Sequence, residues 1–168
     1  MFLIAICAVF PLLLVFAALH DIATMTIPNW VSAALALAFL PAAYLAGLGW
    51  AEIGMHVAAG AIALVVCAML FFLRVFGGGD AKLIAAASIW TGWVGGYEFL
   101  LAMALSGGVL AAIIILLRRL NVRSDAGWAK RLLSPDVGAP YAVAIAFGGL
   151  WAAGASPVLA QAMSLVNL

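Results

Sequence analysis

The sequence predicts an all-α, polytopic integral membrane protein of about six transmembrane helices, with both termini on the extracytoplasmic side. Three observations predict it. First, 69% of the 168 residues are hydrophobic, only 8% are charged, and the mean hydropathy is +1.30. Soluble domains carry roughly 25% charged residues, so this chain cannot cover a water-exposed globule. It also holds far too much apolar side chain to stay solvated as a disordered polymer. Second, apolar runs close to the roughly 20 residues that cross a bilayer recur along the whole chain. Third, the basic residues gather on one side of the alternating pattern that these runs create.

The runs occupy about 2–19, 30–47, 54–73, 83–97, 98–117 and 139–160, and together make one transmembrane domain over 1–168. The first opens on Met1-Phe2-Leu3-Ile4 without a positive n-region and ends in Leu19-His20-Asp21, so it reads as a retained span rather than a secretory signal. Trp30 and Trp50 bracket the second as interface anchors. His56 lies near the outer end of the third, where a lone histidine is expected as an interfacial group. The fourth run is short: Gly92, Gly95 and Gly96 crowd its end before Glu98 opens the fifth, and a tilted or partly re-entrant segment fits equally well. The last begins at Ala139-Pro140. Gly60, Gly107 and Gly108, with many alanines, predict close approach of helices. Cys7 and Cys67 sit in the middle of apolar runs, offer no Cys-x-x-Cys pair, and are expected to be small packing residues.

With six spans, the links at 20–29, 74–82 and 118–138 share one face and those at 48–53 and 96–98 the other. All seven basic residues (Arg74, Lys82, Arg118, Arg119, Arg123, Lys130 and Arg131) fall on the first face, while the second carries Glu52 and Glu98. The positive-inside rule makes the first face cytoplasmic. A net charge of +1, with no basic stripe outside one loop, points to no nucleic-acid partner. Within 118–138, Trp128, Lys130, Arg131, Leu132 and Leu133 suit either a short helix on the inner leaflet or an ordinary basic loop.

Two polar islands interrupt the apolar chain: His20 through Asn29, and Gly77-Gly78-Gly79-Asp80-Ala81-Lys82-Leu83. Each places one aspartate at the end of a hydrophobic run, where a carboxylate is costly and by default functional. Asp21 and Asp80 are 59 positions apart (80 − 21), with two spans between them. At roughly 1.5 Å per residue each span crosses once, so the chain returns to its starting face and the two acids reach similar depth. Packed helices about 8–10 Å apart allow them to meet. One carboxylate, ionised, draws a proton from water. The other, protonated, polarises a peptide carbonyl and protonates the leaving nitrogen. Like charges this close share a proton and titrate as a unit. The chemistry needs no metal, cofactor or covalent nucleophile. Gly77, Gly78 and Gly79 are expected to grant backbone freedom and close substrate approach. Pro28 and Asn29 end the first link and start the second span, with Asn29 as N-cap. Singly, Asp80 reads as a helix cap and Asp21 as a solvated acid; together they point to an aspartyl protease at the membrane surface.

These residues resemble the type IV prepilin peptidases, in particular the short forms of Flp/tight-adherence pili. The family's aspartate followed by Ile-Pro-Asn is similar to Asp21 through Asn29, and its Gly-x-Gly-Asp with a following lysine to Gly77–Asp80 and Lys82. A weaker likeness is the proline-initiated last span at Ala139-Pro140-Tyr141-Ala142. The resemblance implies a catalytic pair of Asp21 and Asp80, supported by Gly77, Gly78, Gly79, Pro28, Asn29 and Lys82, the last expected to be a helix anchor. It implies cleavage of prepilin or pseudopilin leader peptides at the cytoplasmic face of a bacterial inner membrane. Longer members carry paired Cys-x-x-Cys motifs and also N-methylate their product. Here the first link has about ten residues and no cysteine, so peptidase activity without methyl transfer is expected. Two alternatives remain: a presenilin or signal-peptide-peptidase type of Gly-x-Gly-Asp protease, and a non-enzymatic ion- or proton-coupled transporter or pilus-assembly scaffold.

Overall fold

The computed structural model describes all residues except 75–76, 121, 123–125, 135–136 and 167–168, so Arg123 lies outside the described residues. Among the described residues the regular structure is helical: α1 (Phe2–Cys7), α2 (Val9–Thr24), α3 (Asn29–Leu45), α4 (Trp50–Phe72), α5 (Gly78–Arg119), α6 (Gly127–Leu133), α7 (Ala142–Trp151), a 3₁₀ turn (Ala152–Ala155) and α8 (Pro157–Ser164).

Prolines and glycines set the punctuation. Pro11 has no N–H and its ring crowds the carbonyl four residues back, which is Cys7, so the first helix is interrupted there and resumes at Val9. Ala8 stays in the helical region, and α1 and α2 run together as one apolar stretch of 23 residues. Pro28, extended at ψ 133°, is the N-cap of α3, one residue before the expected cap. Asn29 is therefore the first helical residue, and its side chain is used elsewhere. The link from α3 to α4 turns through Gly47 at φ +76°, a conformation that favours glycine.

The largest departure from expectation is in α5. The break anticipated near 97–98 occurs at Gly92, whose φ of 61° and ψ of −161° are accessible essentially to glycine alone. The carbonyls of Ile89 and Trp90, in the last turn before this break, take outside donors. His56 Nδ1–H donates to Ile89 O at 2.7 Å, and Ser156 Oγ–H donates to Trp90 O at 2.6 Å. Broken helices survive in an apolar setting when side chains satisfy the backbone in this way. His56 is thus buried and structural, not the expected interfacial group.

Among the described residues, three helical stretches are long and apolar enough to cross a bilayer: Phe2–Thr24, Trp50–Phe72 and Gly78–Arg119. A fourth is counted if Ala142–Ala155 and Pro157–Ser164, bent by 70°, form one span. The expected last run at 139–160 is therefore not straight; Ser156 caps a new helix there, accepting from Leu159 N–H at 3.4 Å. The apolar α3, with 17 residues, lies at the short edge of the spanning range.

The core centres on Trp90, which is fully buried. Its ring meets Phe10 and Phe39 at centroid distances of 5.2 and 5.7 Å, and its Nε1–H donates to Leu35 O at 2.8 Å. This ties α2, α3 and α5 together. Gly60 lies against Ile89 and the Ala85 carbonyl, allowing α4 and α5 the expected close approach. Gly107 makes a similar approach to Tyr141, whereas Gly108 faces open space and does not. Cys7 and Cys67 are buried, as packing residues should be.

Candidate functional site

The described parts of the links at 20–29, 74–82 and 118–138 come together at one end of the bundle, held by hydrogen bonds between them. Lys82 Nζ donates to Asn29 Oδ1 at 2.8 Å, joining the two polar islands directly. Lys82 is therefore a tie between the islands and not merely the expected anchor. Arg131 Nη1, on α6, donates to Ala23 O at 2.9 Å. Arg118, at the end of α5, donates through Nη2 to the carbonyls of Leu132 and Val137 at 2.8 and 2.7 Å. The amphipathic stretch is thus a short helix folded back against the end of α2.

Asp21 occupies the last turn of α2 and is 6% exposed, so it is not the solvated terminal acid it might be singly. Its helix ends at Met25 in a left-handed conformation, with Met25 N–H bonded to Asp21 O at 2.7 Å. The segment after it is cross-tied: His20 Nδ1–H donates to Thr26 O at 2.8 Å, and Thr24 Oγ1 donates to His20 O at 2.8 Å. Asp21 Oδ2 accepts from the backbone N–H of Ala142 at 3.1 Å. The first N–H groups of a helix have no partner within it, so a carboxylate at the start of α7 is favoured by both the hydrogen bond and the helix's positive end.

Asp80 is the third residue of α5, and its Oδ2 accepts from Gly77 N–H at 3.2 Å. It is a reach-back acid at N3, not the N-cap; Gly77 holds that position. The Asp80 carboxylate lies close enough to Asp21 for their charges to repel. It also lies near Cys67 at the end of α4 and near Tyr141.

The three glycines serve by absence of bulk rather than by unusual backbone angles. Gly77 has φ −72°, and none of the three has a positive φ. A Cβ on Gly79 would stand 3.1 Å from Ile27 Cβ, and one on Gly77 would stand 2.9 Å from Asp80 Oδ2. Glycine at 79 thus lets the Ile27-Pro28-Asn29 segment lie directly on the start of α5. Among the described residues, no three His, Cys, Asp or Glu side chains converge as a metal site would require.

Sequence reasoning put His20 in the first polar island, Arg131 on this face and Tyr141-Ala142 at the start of the last span, but gave none of the four a contact at the site. One signal for Ala142 exists: Pro140 lies just before α7, and a helix start exposes donors to whatever acid is near. For Arg131 and His20 the charge and the polar island gave the face, but nothing in the sequence gave their partners, the Ala23 and Thr26 carbonyls.

What this arrangement offers chemically is two carboxylates from separate helices, each held by one backbone donor, at one end of an apolar bundle. No curated protein and no solved structure matches the chain significantly. The model of the type IV leader peptidase family matches residues 8–116, which carry both aspartates and both tied islands. With more than half of its 168 residues covered, this membrane protein belongs to the type IV leader peptidase family and is a leader peptidase-like protease.

Proposed function

We propose that the chain is an aspartyl endopeptidase that removes the leader peptide of Flp-type prepilins at the cytoplasmic boundary of a bacterial inner membrane. The observation that carries this reading is the convergence of Asp21 and Asp80, two acids from opposite ends of a two-helix excursion, within repelling distance of each other. Repulsion favours a state with one proton between them. The ionised member takes a proton from the attacking water. The protonated member polarises the scissile carbonyl and then protonates the departing nitrogen. The products are the released leader peptide, which ends in a new carboxylate, and a pilin with a new amino terminus.

Topology supports the same reading. Three links tied at one end carry the chain's basic residues, and the positive-inside rule puts that end in the cytoplasm. Six crossings with both termini outside remain the arrangement we propose. They require α3 to cross and the two arms of α5 on either side of Gly92 to act as successive spans. Two rivals find less support. The presenilin type carries a Pro-Ala-Leu element late in the chain; its poor counterpart here, Pro157-Val158-Leu159, starts α8 beside the α5 break, while the residue that meets Asp21 is Ala142. His56 is engaged by the Ile89 carbonyl and is not arranged as a proton relay.

The test is reconstitution in lipid vesicles with a Flp-type prepilin, following product masses. We expect one cut that releases the leader, with no added mass of a methyl group on the new terminus. An intact prepilin after prolonged incubation with folded protein would overturn the proposal.

A further inference from the structure

α3 and α4 follow each other in the chain, yet each packs on α5 and hardly on the other. A furrow of about 390 Å³ runs between them, within the range of about 300–1,000 Å³ usual for small-molecule sites. Small residues shape it: Ala85 and Ala86 of α5 form its floor, Ala36 stands on the α3 side, and Gly60 and Ala61 on the α4 side. The furrow is apolar except at one end. There Lys82 and Asn29 form its mouth, and Ser32 lies about one helical turn deeper on α3. Lys82 is exposed, gives one donor to Asn29, and has no carboxylate partner among the described residues. An ammonium carries three donors, so two remain for a ligand. Ser32 is 7% exposed, and its Oγ has no hydrogen-bond partner among the described residues.

We propose that this furrow holds one anionic phospholipid of the leaflet at the acid-bearing end, its phosphate on Lys82 and an acyl chain along the α5 floor. The order of polarity carries the assignment. From Lys82 to Ile89, about 10 Å at roughly 1.5 Å per residue, the lining passes from cation through hydroxyl to hydrocarbon. A phospholipid presents the complementary order of phosphate, ester carbonyl and chain. Its ester carbonyl offers Ser32 an acceptor that the protein does not supply, and a buried hydroxyl without one is costly. No lining residue is acidic, and basic pockets between membrane helices suit anionic headgroups. An apolar peptide helix would match the walls but leave the cation and the hydroxyl unused. The site does not depend on the protease reading, since no part of it uses Asp21 or Asp80.

The experiment titrates the whole protein in a neutral detergent with dioleoyl phosphatidylglycerol, dioleoyl phosphatidylcholine or glycerol 3-phosphate, and counts bound lipid by native mass spectrometry. Wild type should take one phosphatidylglycerol about fivefold more tightly than phosphatidylcholine, the preference that one lysine near the membrane surface supports. Glycerol 3-phosphate, which has no chain, should not compete. Lys82→Met should erase the preference, and Lys82→Arg should keep it. Ala61→Phe fills the furrow from its exposed α4 side and should weaken both lipids. Lys130→Met removes a charge from α6, which does not line the furrow, and should bind as wild type does. The unfolding midpoint of each variant shows that it is folded. Equal affinity of wild type for the two lipids, or a preference that survives Lys82→Met, would overturn the proposal. So would undiminished lipid binding in Ala61→Phe, loss of the preference in Lys130→Met, or competition by glycerol 3-phosphate at lipid-like concentrations. A mass of two protein chains, lost in Ala61→Phe, would place a second copy in the furrow and overturn it as well.

Discussion

Gly79 and Gly92 both depend on a missing side chain, for different reasons. Gly79 sits in ordinary backbone but has Ile27 lying on it, so alanine there must push the Ile27-Pro28-Asn29 segment by a few tenths of an ångström. Gly92 combines a positive φ with the His56 ring, which would stand 2.6 Å from an added Cβ. Gly92→Ala is therefore expected to destabilise by about 2–4 kcal/mol, from backbone strain plus overpacking. Thermal unfolding in detergent would show this as a clear drop in midpoint, with Gly96→Ala, which meets nothing within 4 Å, as the comparison. Lys82 makes a different prediction. Its bond to Asn29 joins the segments that carry the two acids, so Lys82→Met should lower cleavage about tenfold or more through lost alignment. Asn29→Ala should do the same, and the double variant should be no worse than either single one, as expected for two residues acting as a unit.

At the scale of elements, α5 decides the architecture. Its break is stabilised by donors from α4 and from the start of α8, so helices distant in sequence jointly set the angle between its arms. Ser156→Ala removes the donor to Trp90 O and should cost about 0.6–2 kcal/mol, the range of polar contacts between membrane helices. A measured change below a few tenths would show that the carbonyl is satisfied by other means. The same element shows where the sequence was legible. The glycines at 92, 95 and 96 announced a break, but only the packing of His56 and Ser156 selects 92. Hydropathy sees composition and cannot see which carbonyl meets a donor. Prolines were more direct: Pro11 and Pro28 interrupt or start helices for reasons internal to the residue. Asn29 was read as a cap because caps are local, whereas its actual partner, Lys82, is 53 positions away. The aspartates were legible because a charged side chain at the end of an apolar run is conspicuous. The Ala142 contact with Asp21 was not, because a backbone donor at a helix start leaves no side-chain signature.

For the whole molecule, the governing feature is that one end of the bundle gathers the described parts of three links, with their basic residues, and both acids. The topology follows a simple expectation. Cysteines placed at Ala126 and Gly77 should be labelled by an impermeant maleimide only after the cytoplasmic side is opened, and one placed at Leu48 from outside. Labelling of position 77 in intact cells would reverse the orientation. The acid pair implies a second measurement on the whole enzyme. Activity that needs one proton shared by two acids should be bell-shaped in pH, falling when both are protonated and when both are ionised. A single-limbed profile would indicate that only one acid titrates in the reaction. The most direct test is the cleavage rate of Asp21→Asn and Asp80→Asn, each shown to be folded by its unfolding midpoint. Both should lose at least about 10³-fold in kcat, since neither acid can act without the other. Cleavage near the wild-type rate by either variant would contradict the account.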